Sequence, residues 1–140
     1  MMSNEQIHVT IIAENRPRAT SLSLMVTEAL PVSISVQIQN LEERKTANNQ
    51  QRSQVCVVDL LSLDHPASYV VQKVKESANC PKIILLHVYK SLKLIQPFYE
   101  MGINGYLYCE PRKKDLIEAI QVVNEGGTYY PHFLDITGST

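Results

Sequence analysis

Four residues stand where short apolar runs give way to polar sequence, and their side chains are of the types that bind metals or move protons. Glu14 follows Ile7–Ile12 after Ala13, Asp59 follows Val55–Val58, His87 follows Ile83–Leu86, and Cys109 with Glu110 follows Gly105–Tyr108. Carboxylate, imidazole and thiolate together are a donor set suited to Zn2+ or a related cation. Cys109 with His87 as its base is also the pairing that thiol catalysis uses. Against both readings, the four residues have no compact ligand spacing, and nothing in the sequence supplies an oxyanion hole. The loop Ala13 to Pro17 has no glycine to let backbone amides approach a phosphate, which argues against nucleotide binding.

Only a fold could gather residues so far apart, and the elements between them repeat a pattern. Ile7 to Ile12 reads as a strand, and Pro17 suits the first turn of a helix that carries Leu22, Met25, Val26, Ala29 and Leu30 at helical spacing until Pro31 ends it. Val32 to Ile38 alternates strictly, as a half-exposed strand at a sheet edge does. Asn40 to Gln54 is polar, with a short helix expected near Leu41 to Ala47 and a loop after it.

Val55 to Val58 and Ile83 to Leu86 are continuous apolar runs, expected for parallel strands buried on both faces. A helix opened by Pro66 and running to Ala78 separates them. Ser91 to Met101 is helical in pattern, with Pro97 expected to kink or break it and Gly102 at its stop. Gly105 to Tyr108 gives a fifth strand, and Asp115 to Glu125 an amphipathic helix ended by Gly126-Gly127.

This alternation predicts an α/β fold: a five-stranded parallel sheet in the flavodoxin-like order 2-1-3-4-5, as the middle of a three-layer α/β/α sandwich. In such folds the crevice lies outside the carboxyl ends of the strands, where Ala13, Glu14, Asp59, His87, Cys109 and Glu110 all fall. The domain is expected to cover residues 1–131, with 132–140 as a tail or linker start.

With 140 residues the chain is of one-domain size. Its 44% hydrophobic and 19% charged content is that of a globular protein. The formal net charge of -1 and the scattered Lys and Arg residues lack the basic footprint of a nucleic-acid binder, and Arg112, Lys113, Lys114 reads as a solvated helix start. No apolar run approaches the roughly 18 to 20 residues a membrane span needs, which places the chain in the cytoplasm rather than in a membrane. Cys56, Cys80 and Cys109 fit neither a disulfide framework nor paired zinc knuckles, so reduced thiols are expected.

Three segments carry a family resemblance: Val57-Val58-Asp59-Leu60, Pro81-Lys82-Ile83-Ile84-Leu85-Leu86-His87, and Met101-Gly102-Ile103-Asn104-Gly105-Tyr106-Leu107. They look like response-regulator receiver domains of two-component signalling, over Ile7 to about Pro131. The stretch from Asp115 through Asn124-Glu125-Gly126-Gly127-Thr128-Tyr129-Tyr130-Pro131 is similar to the receivers that precede a helix-turn-helix (LuxR-type) DNA-binding domain.

The resemblance implies a regulatory module and not an enzyme, with Asp59 as phosphoacceptor, Glu14 as one member of an acidic pair that binds Mg2+ with Asp59, and Tyr106 as the switch aromatic. Three pocket positions depart from the pattern. Ala13 stands for the second acid, His87 for a hydroxyl residue and Cys109 for a lysine, so the expectation is a pseudo-receiver with weak Mg2+ binding and impaired phosphorylation. The implied partners are a second copy in a C2 homodimer, through a face that includes Tyr99, Tyr106 and Tyr108, and a sensor kinase or other regulatory protein, with no nucleic acid bound by this domain. Two alternatives stay open: a stand-alone adaptor, and a metal or thiol site built from His87 and Cys109.

Overall fold

Residues with no polar alternation should be covered on both sides, and the central strands show this directly. In β3 (Val55–Asp59) and β4 (Ile83–His87) successive side chains enter different cores: Cys56, Val58, Ile83 and Leu85 one, Val55, Val57, Ile84 and Leu86 the other. These observations come from a computed structural model that describes residues 7–29, 34–39, 55–76 and 82–133. The helix and loop expected over 40–54, the strand start at Val32, Cys80 and the tail from residue 134 lie outside the described residues.

β1 (Ile7–Ile12), β2 (Ile34–Gln39) and β5 (Gly105–Tyr108) complete the sheet. Four parallel pairings join the strands in the order β2-β1-β3-β4-β5, with register Val9↔Val36, Val9↔Val55, Val57↔Ile84 and Leu85↔Tyr106. Parallel neighbours require crossovers, and helices occupy both faces.

On one face α1 (Arg16–Ala29) and α4 (Lys113–Asn124) bury Leu22, Val26, Leu116, Ile120 and Val123 against Val9, Val57 and Leu86. On the other, α2 (Ala67–Lys75) and α3 (Leu92–Met101) bury Val70, Val74, Ile95 and Phe98 against Val58, Leu85 and Tyr106. Each large side chain so buried contributes about 1.5–3 kcal/mol to the fold.

Two local features, the passage of α3 through Pro97 and the state of Cys56, differ from the sequence reading. α3 runs unbroken through Pro97, which is exposed and supplies no N–H to the Lys93 carbonyl one turn before it. α3 then ends at Gly102, with φ 109°, where the amide donates to Tyr99 O at 3.0 Å. Cys56, expected reduced, is disulfide-bonded, whereas Cys109 is a free thiol. Among the described residues no helix is long and apolar enough to cross a membrane.

Candidate functional site

Because β1, β3, β4 and β5 are parallel, their carboxyl ends share one edge of the sheet, and the loops that leave them meet there. Asp59 ends β3 and is fully buried, with 0% of its surface exposed. An interior carboxylate needs a partner, and α1 supplies one. Asn15 caps this helix, its Oδ1 accepting from the Arg18 amide at 3.0 Å. That cap places Arg18 in the first turn, where side chains tilt back toward the helix start and over the strand ends.

The Arg18 guanidinium reaches Asp59 through two parallel hydrogen bonds, Nε to Oδ2 at 2.6 Å and Nη2 to Oδ1 at 2.9 Å. Its third nitrogen, Nη1, donates to Glu110 Oε2 at 3.1 Å in the loop after β5. One side chain thereby ties α1, the end of β3 and the β5–α4 loop. The hydrogen bonds to Asp59 raise the Arg18 pKa above its already high usual value while partial burial opposes them, so the cation is permanent. On its outer side the clamp borders a pocket of about 220 Å³ between α1 and the β5–α4 loop, floored by Leu22, Met25 and Pro111.

The other strand-end residues surround this clamp without joining it. Ser62, in the 3-10 turn at Leu60–Ser62, accepts from the Glu14 amide at 3.0 Å and donates to the Asp59 carbonyl at 3.1 Å. Ala13 is buried in the α1–α4 core. The His87 ring packs edge-on to Tyr89, centroids 4.6 Å apart, and its Nδ1 is buried without a hydrogen-bond partner; burial lowers its pKa below the ordinary 6.5.

Cys109 meets His87 through the backbone, its amide donating to the His87 carbonyl at 2.8 Å. It holds a left-handed conformation, φ 45°, unusual for a residue other than glycine, and its thiol raises the pKa of the neighbouring Tyr108 hydroxyl above 10.0. Tyr106 is fully buried, its hydroxyl accepting from Tyr89 N at 2.8 Å and donating to Tyr89 O at 2.9 Å.

These positions bear on three expectations. Among the described residues Glu14, Asp59, His87 and Cys109 do not form a metal-binding cluster. The donor set also does not fit Mg2+. That ion needs several oxygens in octahedral array, whereas both Asp59 oxygens are engaged by a guanidinium and the neighbouring position is the methyl group of Ala13. Tyr106 is withdrawn from the surface on which a partner was expected to meet it, and Tyr108 stays exposed.

No protein-family model matches the chain, and no curated protein matches it in sequence. Solved structures do match it in shape. A LuxR-family two-component response regulator from Aurantimonas superposes with a TM-score of 0.73 at 10% identity, covering 89% of both chains. A LuxR-family DNA-binding response regulator from Silicibacter pomeroyi gives 0.70 at 14%, covering 91% of this chain and 99% of that one. The chain has the receiver-domain fold. A CheY-like receiver domain protein from Methanospirillum hungatei agrees, at TM-score 0.68 and 14% identity over 86% and 95% of the two chains.

Within that receiver fold, Asp59 occupies the end of the central strand and Arg18 covers it. Glu110 was placed at the crevice from sequence, but Arg18 was not singled out. A signal was present for the arginine: the first turn of α1 holds Arg16 and Arg18 and no acidic residue. Positive charge there opposes the helix dipole, so a cation kept in that turn points to a specific anionic partner.

Proposed function

We propose that this chain is an atypical receiver module of two-component signalling that works in the cytoplasm by protein contact, with phosphorylation at Asp59 impaired. The observation that carries the reading is the buried, two-bond Arg18–Asp59 pair. Phosphoryl transfer needs one carboxylate oxygen free to attack the donor phosphorus and a metal or cation beside it to hold the charge that develops on the phosphoryl oxygens. Here both oxygens already accept hydrogen bonds, and the cation nearest them is spent on the unmodified carboxylate. Cys109 brings no positive charge in place of a lysine, and Glu110 adds a negative one at the mouth.

Output then passes through surfaces rather than chemistry. Tyr108, Tyr130 and Phe133 are exposed around β5 and the segment after α4, where a second copy or a regulatory protein would dock. Transcription control through a DNA-binding domain outside this sequence is the role most in keeping with the LuxR-family regulators of the same fold; a stand-alone adaptor would use the same surface. The test is intact mass after incubation with acetyl phosphate and Mg2+. The expected result is an unmodified wild type. A stoichiometric phosphoryl adduct that disappears in Asp59→Asn would overturn the reading.

A further inference from the structure

A second cluster of donors lies away from the strand-end pocket, where the chain leaves α4 and turns back across it. Asp115 and Glu118 are three residues apart and so share one face of the helix, and His132 comes over that face from the segment that follows. His132 Nε2 is 3.2 Å from Glu118 Oε1 and 3.9 Å from Asp115 Oδ1, and the three donor atoms all lie within 4.8 Å of one another. Bonds of 2.0–2.2 Å at tetrahedral angles place donor atoms about 3.4 Å apart, so the cluster needs only small side-chain shifts to close on one ion.

Two further atoms point to an occupant. Asp115 Oδ1 is buried with no hydrogen-bond partner, although Oδ2 of the same group lies 3.4 Å from Arg112 Nε. Tyr129 is 4% exposed and its hydroxyl is also buried and unpartnered. The Tyr129 ring stands edge-on to the His132 ring, centroids 5.8 Å apart, and its hydroxyl lies in the field of Glu118 and Asp115. Buried polar atoms without partners, close to a donor cluster, call for a group that satisfies them.

We propose that Asp115, Glu118 and His132 bind a divalent cation of the zinc type, one per chain, with water completing the coordination and the Tyr129 hydroxyl directed at that inner shell. One imidazole nitrogen with two carboxylate oxygens suits Zn2+ and its neighbours, whereas Ca2+ and Mg2+ favour all-oxygen shells with more ligands. The ion would staple the segment through His132 to α4, and so set the direction in which the chain leaves the domain.

The experiment is calorimetric titration of ZnCl2 into protein purified without a metal-affinity step, alongside His132→Ala, Glu118→Gln and Cys109→Ser. His132 and Glu118 are exposed enough that their substitution leaves the core intact. The expected result is one-to-one binding that each of the first two variants weakens by about tenfold or more and that Cys109→Ser leaves unchanged, with the His132 ring resonances shifting at one equivalent. Absence of a saturable one-to-one isotherm, unchanged affinity in both ligand variants, or loss of binding in Cys109→Ser would each overturn the proposal; the first would reduce the cluster to a histidine–carboxylate ion pair.

Discussion

Arg18 and Asp59 form a fork-to-fork ion pair in which the carboxylate is completely buried and the guanidinium only partly so, at 0% and 21% side-chain exposure. This asymmetry dictates what each substitution does. Arg18→Ala removes the cation from a carboxylate set at the end of a buried strand, a loss of up to about 3–5 kcal/mol; chemical denaturation would read it. Adding Asp59→Ala to that variant removes the stranded charge and should recover at least about 1 kcal/mol. If the double variant is no more stable than Arg18→Ala, the pair is not the source of the loss.

Glu110 holds the same arginine from outside and should matter far less. Its side chain is 77% exposed, so Glu110→Gln should cost at most about 1 kcal/mol, and the effect should shrink as salt is added. A loss as large as that of Arg18→Ala would show that the clamp is anchored at its mouth.

The strand runs around this site were readable from sequence because burial on two faces writes an unbroken apolar stretch, as at Val55–Val58 and Ile83–Leu86, and Asp59 and His87 stand out at the ends of those stretches. The parallel α/β fold follows from that periodicity. The clamp was not readable, because its partners are 41 residues apart and belong to different elements; no local pattern pairs an arginine with an aspartate across a sheet. His87 and Cys109 were correctly placed at neighbouring strand ends but not as a chemical pair. The backbone brings them together, while the imidazole turns to Tyr89.

His87 should give the pocket a mild acid sensitivity. Burial lowers its folded pKa below 6.5, so in the window between that lower value and 6.5 the unfolded chain binds more protons than the folded one. Stability therefore falls as pH drops through the window and is insensitive to His87 above it. His87→Phe keeps the packing on Tyr89 and Phe98 and should flatten the curve there; an NMR titration of the wild type with a midpoint at or above 6.5 would contradict the assignment.

Cys109 sits in the left-handed region, which costs an ordinary residue about 1–2 kcal/mol. Glycine is free of that strain but loses more entropy on folding, about 0.5–1 kcal/mol. Cys109→Gly should thus match or slightly exceed the wild type in thermal stability, while Cys109→Val, branched at Cβ, should fall below both. Marked destabilisation by glycine would mean that the thiol contributes more than the turn does.

The double hydrogen bond between Tyr106 and the backbone of Tyr89 locks the loop after β4 to a buried ring of β5. Swinging the ring outward deprives an amide and a carbonyl of their partners at one stroke, each at about 1–3 kcal/mol if no replacement is found, and empties a ring-sized volume in the core. Any displacement of that loop would therefore have to carry the ring with it or forfeit both bonds.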